Sequence, residues 1–192
     1  MIPDKAAFAF TAALVLAACA ADGDMAAPAG FGFGGVATDS VSPYYTPSTV
    51  TYAVQGGTMP AVVIGNPFTG PEEPVDETVR AALRMPGWAP NARFVANPNA
   101  EAGKGFRVVL VLNPANPNLN ANALCGVDPV ATASGGAFMI RAAFCQDALP
   151  LSSASIRGAA PSGRTDPAFT QAVAQAVNLI FPFAEPRTIS VQ

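Results

Sequence analysis

The chain has no histidine among its 192 residues. Imidazole is therefore absent as general base, nucleophile activator and metal ligand, and Ser-His-Asp and Cys-His catalysis are excluded. Charge is scarce as well, at 12% of residues with a net charge of −3. Lysine occurs only at Lys5 and Lys104, and the arginines (Arg80, Arg84, Arg93, Arg107, Arg141, Arg157, Arg164, Arg187) stand singly along the sequence. A nucleic-acid footprint needs clustered cations that displace counterions, so no nucleic-acid partner is expected. The cysteines form no C-x-x-C pair, which leaves redox catalysis and zinc binding with little support. Gly103-Lys104-Gly105 lacks the spaced glycine and following hydroxyl of a phosphate loop. Ser134-Gly135-Gly136 lacks the frame of a nucleophile elbow. Glu72-Glu73 with Asp76-Glu77 is the one acidic cluster, and it reads as a solvated helix start rather than a calcium loop, since no 12-residue pattern of oxygen ligands surrounds it. No metal or cofactor is expected.

What the chain does have begins at its N-terminus. The apolar run from Ala6 to Ala18 is shorter than the roughly 20 residues a membrane-spanning helix needs and has the length of a signal-peptide core. It ends in Leu16-Ala17-Ala18-Cys19, which resembles the lipobox of bacterial lipoproteins. The resemblance implies that a peptidase removes residues 1–18 and that Cys19 is acylated. By the sorting habit of that class, Ala20 after the cysteine implies delivery to the outer membrane, facing the periplasm. The competing reading makes residues 1–18 a buried N-terminal helix and Cys19 a core thiol. Once Cys19 is assigned to lipid, Cys125 and Cys145 remain as an even pair. They are expected to form a disulfide in an oxidising compartment, against the alternative of two buried free thiols in a cytosolic protein.

Residues 19–48 read as the lipidated N-terminus and a flexible tether. Gly30, Gly32, Gly34 and Gly35 with Pro28, Pro43 and Pro47 interrupt them, and no hydrophobic period is sustained. Residues 49–192 read as a single α+β domain. Val50 to Val54 and Ala61 to Gly65 are predicted strands, and Pro74 to Met85 a helix whose packing face is Val75, Val79, Ala82 and Leu83. Ala92 to Ala96 and Phe106 to Leu112 are predicted to pair as a hairpin through Gly103-Lys104-Gly105. Asn66-Pro67, Asn97-Pro98, Asn113-Pro114 and Asn116-Pro117 read as turn chemistry, with Asn113 to Ala123 a loop. Gly136 to Cys145 is a strand, and Ser152 to Ala159 returns beside it. Asp166 caps a final helix with Phe169, Val173, Val177 and Ile180 or Phe181 on its buried stripe. The expected architecture is an antiparallel or mixed sheet of about five to six strands with two helices on one face.

From Val62-Val63-Ile64-Gly65-Asn66-Pro67-Phe68 to Phe181-Pro182 the layout is similar to small alphaproteobacterial envelope lipoproteins, a resemblance that implies no activity. More distantly it is similar to periplasmic accessory lipoproteins that assist transporters or assembly machines. The leading functional expectation is a non-enzymatic envelope lipoprotein, anchored to the membrane by lipid, whose domain binds an envelope protein or component. The alternative is a cell-wall or glycan hydrolase using two carboxylates drawn from Glu72, Asp76, Glu101, Asp128 and Asp147. A purely structural surface protein is a third possibility.

Overall fold

A computed structural model describes residues 34–68, 75–96, 104–126 and 128–183. In chain order the elements are β1 (Gly35–Val41), α1 (Pro47–Ala53), β2 (Thr58–Ile64), α2 (Val75–Ala82), β3 (Arg93–Ala96), β4 (Phe106–Leu112), α3 (Ala121–Cys125), β5 (Phe138–Gln146), β6 (Leu149–Gly158) and α4 (Pro167–Ile180). The strands form one mixed sheet in the order β1-β6-β5-β4-β2-β3. The pairs β1–β6, β6–β5 and β5–β4 are antiparallel, whereas β2 is parallel to both β4 and β3. The fold is thus α+β with a mixed sheet.

β4 occupies the centre because its sequence is apolar on both faces. Val108, Leu110 and Leu112 enter the larger core cluster, while Val109 and Val111 enter a smaller one on the opposite face, as the two-residue period of a strand dictates. Helices α1, α2 and α4 feed the larger cluster through Val50, Val75, Val79, Phe169, Val173 and Val177. α3 feeds the smaller one through Leu124 and Cys125. Helices therefore supply both clusters, where two helices on one face were expected.

The β5–β6 pairing follows the expected return of the chain, with Ile140 opposite Ile156 and Ala142 opposite Ala154. α4 likewise takes the expected form. Asp166 accepts the Ala168 N–H at 2.9 Å, Pro167 fills the first turn, and Phe169, Val173, Val177 and Ile180 are buried. The Ser162 and Ala168 backbone N–H groups and the Ser162 hydroxyl hold the Asp166 carboxyl below its ordinary range. A depressed folded-state pKa contributes stability that is complete above the unfolded value of ~3.9 and is lost as pH falls through the folded value. Asp166→Asn keeps a cap acceptor but lacks the charge, so the gap in thermal midpoint between it and the native chain is expected to close below about pH 3.9. Melting curves from pH 7 to 2.5 check this, and a gap unchanged at the acid end would remove Asp166 as the cause.

Four local expectations are overturned. Val50 to Val54 is not a strand but the end of α1. Thr46 caps that helix, accepting the Thr49 N–H at 3.1 Å, and Pro47 supplies its first turn. Val50 and Val54, four residues apart, are both buried, so the β-branched run packs at helical spacing and its strand propensity is overridden. Secondly, residues 35–48, assigned to the tether, contain β1 and the start of α1. β1 shows little hydrophobic period because only Val36 and Val41 pack inward; backbone pairing with β6 holds it, with the Ser40 and Ser153 hydroxyls 2.8 Å apart.

Thirdly, β3 and β4 do not form a hairpin. β2 lies between them and pairs with both in parallel. With β2 inserted, β4 is covered on both edges and β3 becomes a short edge strand, which matches their different degrees of apolarity. The stretch expected as a loop before Cys125 also contains α3, capped by Asn120 through the Ala123 N–H at 2.9 Å.

The Asn-Pro dipeptides do use their side chains in turns. Asn66 accepts the Phe68 N–H at 2.9 Å and Asn116 the Asn118 N–H at 3.0 Å. Asn113, buried and at φ +48°, bonds the Met139 N–H and the Gly135 carbonyl and so clasps the ends of β4 and β5. Asn97-Pro98 lies outside the described residues. At the exit of β2, a Cβ on Gly65 (φ +87°) would sit 2.5 Å from the Leu112 carbonyl oxygen, so glycine is required both for the left-handed turn and for the close approach to β4.

On the smaller-cluster face, Cys125 of α3 and Cys145 of β5 lie at disulfide distance, their Cα atoms 5.6 Å apart. Arg107 donates to the Cys125 carbonyl at 2.6 Å and Arg141 to the Leu119 carbonyl at 2.6 Å. Burial lowers the Arg107 pKa, partly opposed by Asp147. Arg141 also faces Asp39 of β1 at 3.3 Å, and Ser155 donates to the other Asp39 oxygen at 2.9 Å. Buried donors thus tie α3, its preceding loop and the edge strand β1 to the sheet.

Candidate functional site

The amphipathic pattern of α2 turns Val75 and Val79 into the core and leaves its polar residues along two open clefts. Asp76 and Arg80 pair at 2.6 Å across one turn, with the acid N-terminal to the base, the favoured orientation for such a pair. Just beyond the helix, Arg84 folds back to donate to the Ala81 and Leu83 carbonyls, occupying acceptors that the helix end leaves open. The first cleft, of about 920 Å³, runs between α2 and α4 and is lined by Glu77, Thr78 and Arg84 on one side and Arg164, Thr170 and Gln171 on the other. The second, of about 740 Å³, runs between α2 and β3, with Arg80 and Arg84 facing the segment from Asn91 to Ala96. Glu77, Ala81 and Arg84 line both, so the two are continuous along the helix. A third cleft of about 360 Å³ beside α3 is lined mainly by apolar residues, with Asn116 and Asp128.

The first two clefts offer guanidinium forks, hydroxyls and the carboxamides of Gln171 and Asn91, a set suited to holding carboxylate-bearing or otherwise acceptor-rich ligands. The described carboxylates among those singled out in the sequence, Asp76, Asp128 and Asp147, are not gathered there. Asp76 is engaged by Arg80, Asp147 takes the Gly105 N–H at 2.8 Å in the β5–β6 turn, and Asp128 borders the third cleft. Glu72, Glu73 and Glu101 lie outside the described residues, as does Cys19. Paired-carboxylate chemistry needs both groups flanking one substrate bond, whereas among the described residues each of these three clefts is lined by a single carboxylate: Glu77 in the first two and Asp128 in the third. Among the described residues no group of three or more Cys, Asp or Glu could hold a metal ion.

The arginine grouping was not visible in the sequence. Arg80 and Arg84 share a helical spacing, but Arg93 and Arg164 come to line the same clefts only through the parallel placement of β3 beside β2 and the packing of α4 beside α2. The four-residue interval from Arg80 to Arg84 was the one available signal. Comparison with known protein families, curated proteins and solved structures yields no match.

Proposed function

We propose that the chain is a non-enzymatic envelope lipoprotein, acylated on Cys19 after removal of residues 1–18, whose domain binds an envelope protein or component through the clefts along α2. The observation that carries this reading is the Cys125–Cys145 pair. It accounts for two of the three cysteines and fits an oxidising compartment, leaving the third as the lipobox residue. The open, polar-lined clefts on α2 support a binding role, and the histidine-free composition supports a non-catalytic one. Among the described residues no helix is long and apolar enough to cross a membrane, so the proposed attachment falls to lipid; acyl chains contribute about 0.8 kcal/mol per buried methylene, and two of them already anchor stably. From Cys19 to the start of β1 the backbone can reach at most roughly 55 Å, enough to hold the domain clear of the headgroups. Ala20 favours the outer membrane, with the domain facing the periplasm.

The test is fractionation of a bacterial host expressing the full chain and its Cys19→Ser variant. The native chain is expected in the membrane pellet and released by detergent alone, and the variant in the soluble fraction. A variant that stays in the pellet, or a native chain freed by salt, would overturn lipid attachment.

A further inference from the structure

We infer that the exposed edge of β3 accepts an extended, acidic segment of a partner protein as an added strand, the partner's side chains entering the cleft between β3 and α2. The inference rests on the binding role proposed above and names the chemistry of the partner. Among the described residues β3 ends the sheet and pairs on one side alone, with β2. The Arg93 N–H donates to the Gly57 carbonyl at 3.0 Å, which fixes the parity of the strand: Arg93 and Val95 turn their backbone groups toward β2, and Phe94 and Ala96 turn theirs outward. A strand with an open ladder edge is a template for backbone pairing. Here the edge coincides with a cleft wall, since the second cleft is lined along the whole segment from Asn91 to Ala96.

Charge selects the partner. Among the described residues Arg80, Arg84 and Arg93 line this cleft with Glu77 as the one acid; Arg80 is already paired with Asp76, so Arg84 and Arg93 are the cations offered to a partner, in a chain whose overall net charge is −3. Arg84 and Arg93 are exposed. A second copy of this chain is disfavoured as the occupant, because pairing β3 with β3 across a two-fold axis brings the same arginines face to face. An extended segment with acids at alternating positions meets the guanidinium groups with carboxylates and the sheet edge with its backbone.

The probe is a fluorescent eight-residue peptide of alternating Glu and Val, titrated by anisotropy against the full chain in detergent, with an alternating Lys and Val peptide as control. Saturable binding of the acidic peptide alone is expected, weakening at least tenfold between 50 and 500 mM salt. Arg84→Glu with Arg93→Glu is expected to weaken it at least tenfold. Ala96→Pro removes one outward N–H while leaving the ladder to β2 intact, and is expected to weaken binding at least fivefold with an unchanged melting temperature. Amide shifts of labelled protein should map to residues 91–96 and α2. Equal binding of both peptides, insensitivity to Ala96→Pro in a folded variant, shifts mapping elsewhere, or self-association through β3 would each overturn the inference. Such failures leave the Cys19 fractionation result unaffected, so loss of this partner chemistry and loss of the anchor are read separately.

Discussion

Phe144→Ala is expected to destabilise the domain by about 3–5 kcal/mol, the largest effect of any single core truncation here. Phe144 is fully buried at the middle of the sheet, opposite Val108 of β4 and Ser152 of β6. Its ring stacks on Phe106 at 5.8 Å and meets Phe181 at 4.9 Å and Tyr45 at 6.5 Å edge-on. The last two contacts bring in chain from both ends of the domain: Phe181 follows α4, and Tyr45 lies between β1 and α1. The Tyr45 hydroxyl in turn donates to the Pro182 carbonyl at 2.7 Å, and burial raises its pKa. Removing the phenyl group leaves a cavity whose walls belong to elements distant in sequence, so collapse around it is restricted and the cost falls at the upper part of the usual range. Domains of this size are stable by about 5–15 kcal/mol, so the substitution consumes a large fraction of the total. Phe144→Leu retains most of the volume and is expected to lose less than half as much. Urea titration gives both values, with a fall in midpoint at constant slope. A loss under 1 kcal/mol for the alanine variant would mean that this aromatic cluster does not organise the core.

The second large effect belongs to the Cys125–Cys145 link. Opening a loop of 20 residues costs about 3 kcal/mol on the chain-entropy account, and the structure says where the loss appears first. α3 has five residues, too few to persist without tertiary support. It covers the sheet face carrying Val109, Val111 and Ala143. Reduction, or the Cys125→Ala/Cys145→Ala double variant, leaves the Arg107–Cys125 carbonyl bond and a small apolar contact to hold it. Local opening of residues 113–133 is therefore expected ahead of global unfolding, with the larger cluster under α1, α2 and α4 keeping its protection. Hydrogen exchange with and without reductant separates the two levels. Loss of protection spread evenly over β4, β5 and α4 would show instead that the link stabilises the whole domain without a local unit.

These effects also show what could be read from the sequence alone. The β5–β6 pairing and α4 were legible because their signals are local: a long apolar strand returning on itself, and a capped amphipathic helix with Pro167 in its first turn. α1 was misread because Val50-Thr51-Tyr52-Ala53-Val54 carries strand propensity while the decisive signal, Thr46-Pro47, lies just upstream. β1 was missed because an edge strand held by backbone bonds and by Ser40 and Asp39 has no apolar period to detect. The false β3–β4 hairpin arose because sequence adjacency suggested pairing, and the insertion of β2 is a non-local outcome decided by which strand can be buried on both faces. The cleft along α2 follows the same logic. Arg80 and Arg84 were visible as neighbours at helical spacing, but Arg93 and Arg164 join them in lining the clefts only after the sheet and helices assemble. Cys125 and Cys145 were the exception among long-range features, since counting thiols constrains pairing without geometry.

Intact-protein and peptide mass spectrometry on material extracted from native membranes under non-reducing conditions tests the proposed anchored, oxidised state most directly. The expected spectrum shows an N-terminal peptide beginning at Cys19 and carrying acyl chains, together with a peptide pair cross-linked through Cys125 and Cys145. A chain retaining Met1, an unmodified Cys19, or free thiols at positions 125 and 145 would refute it.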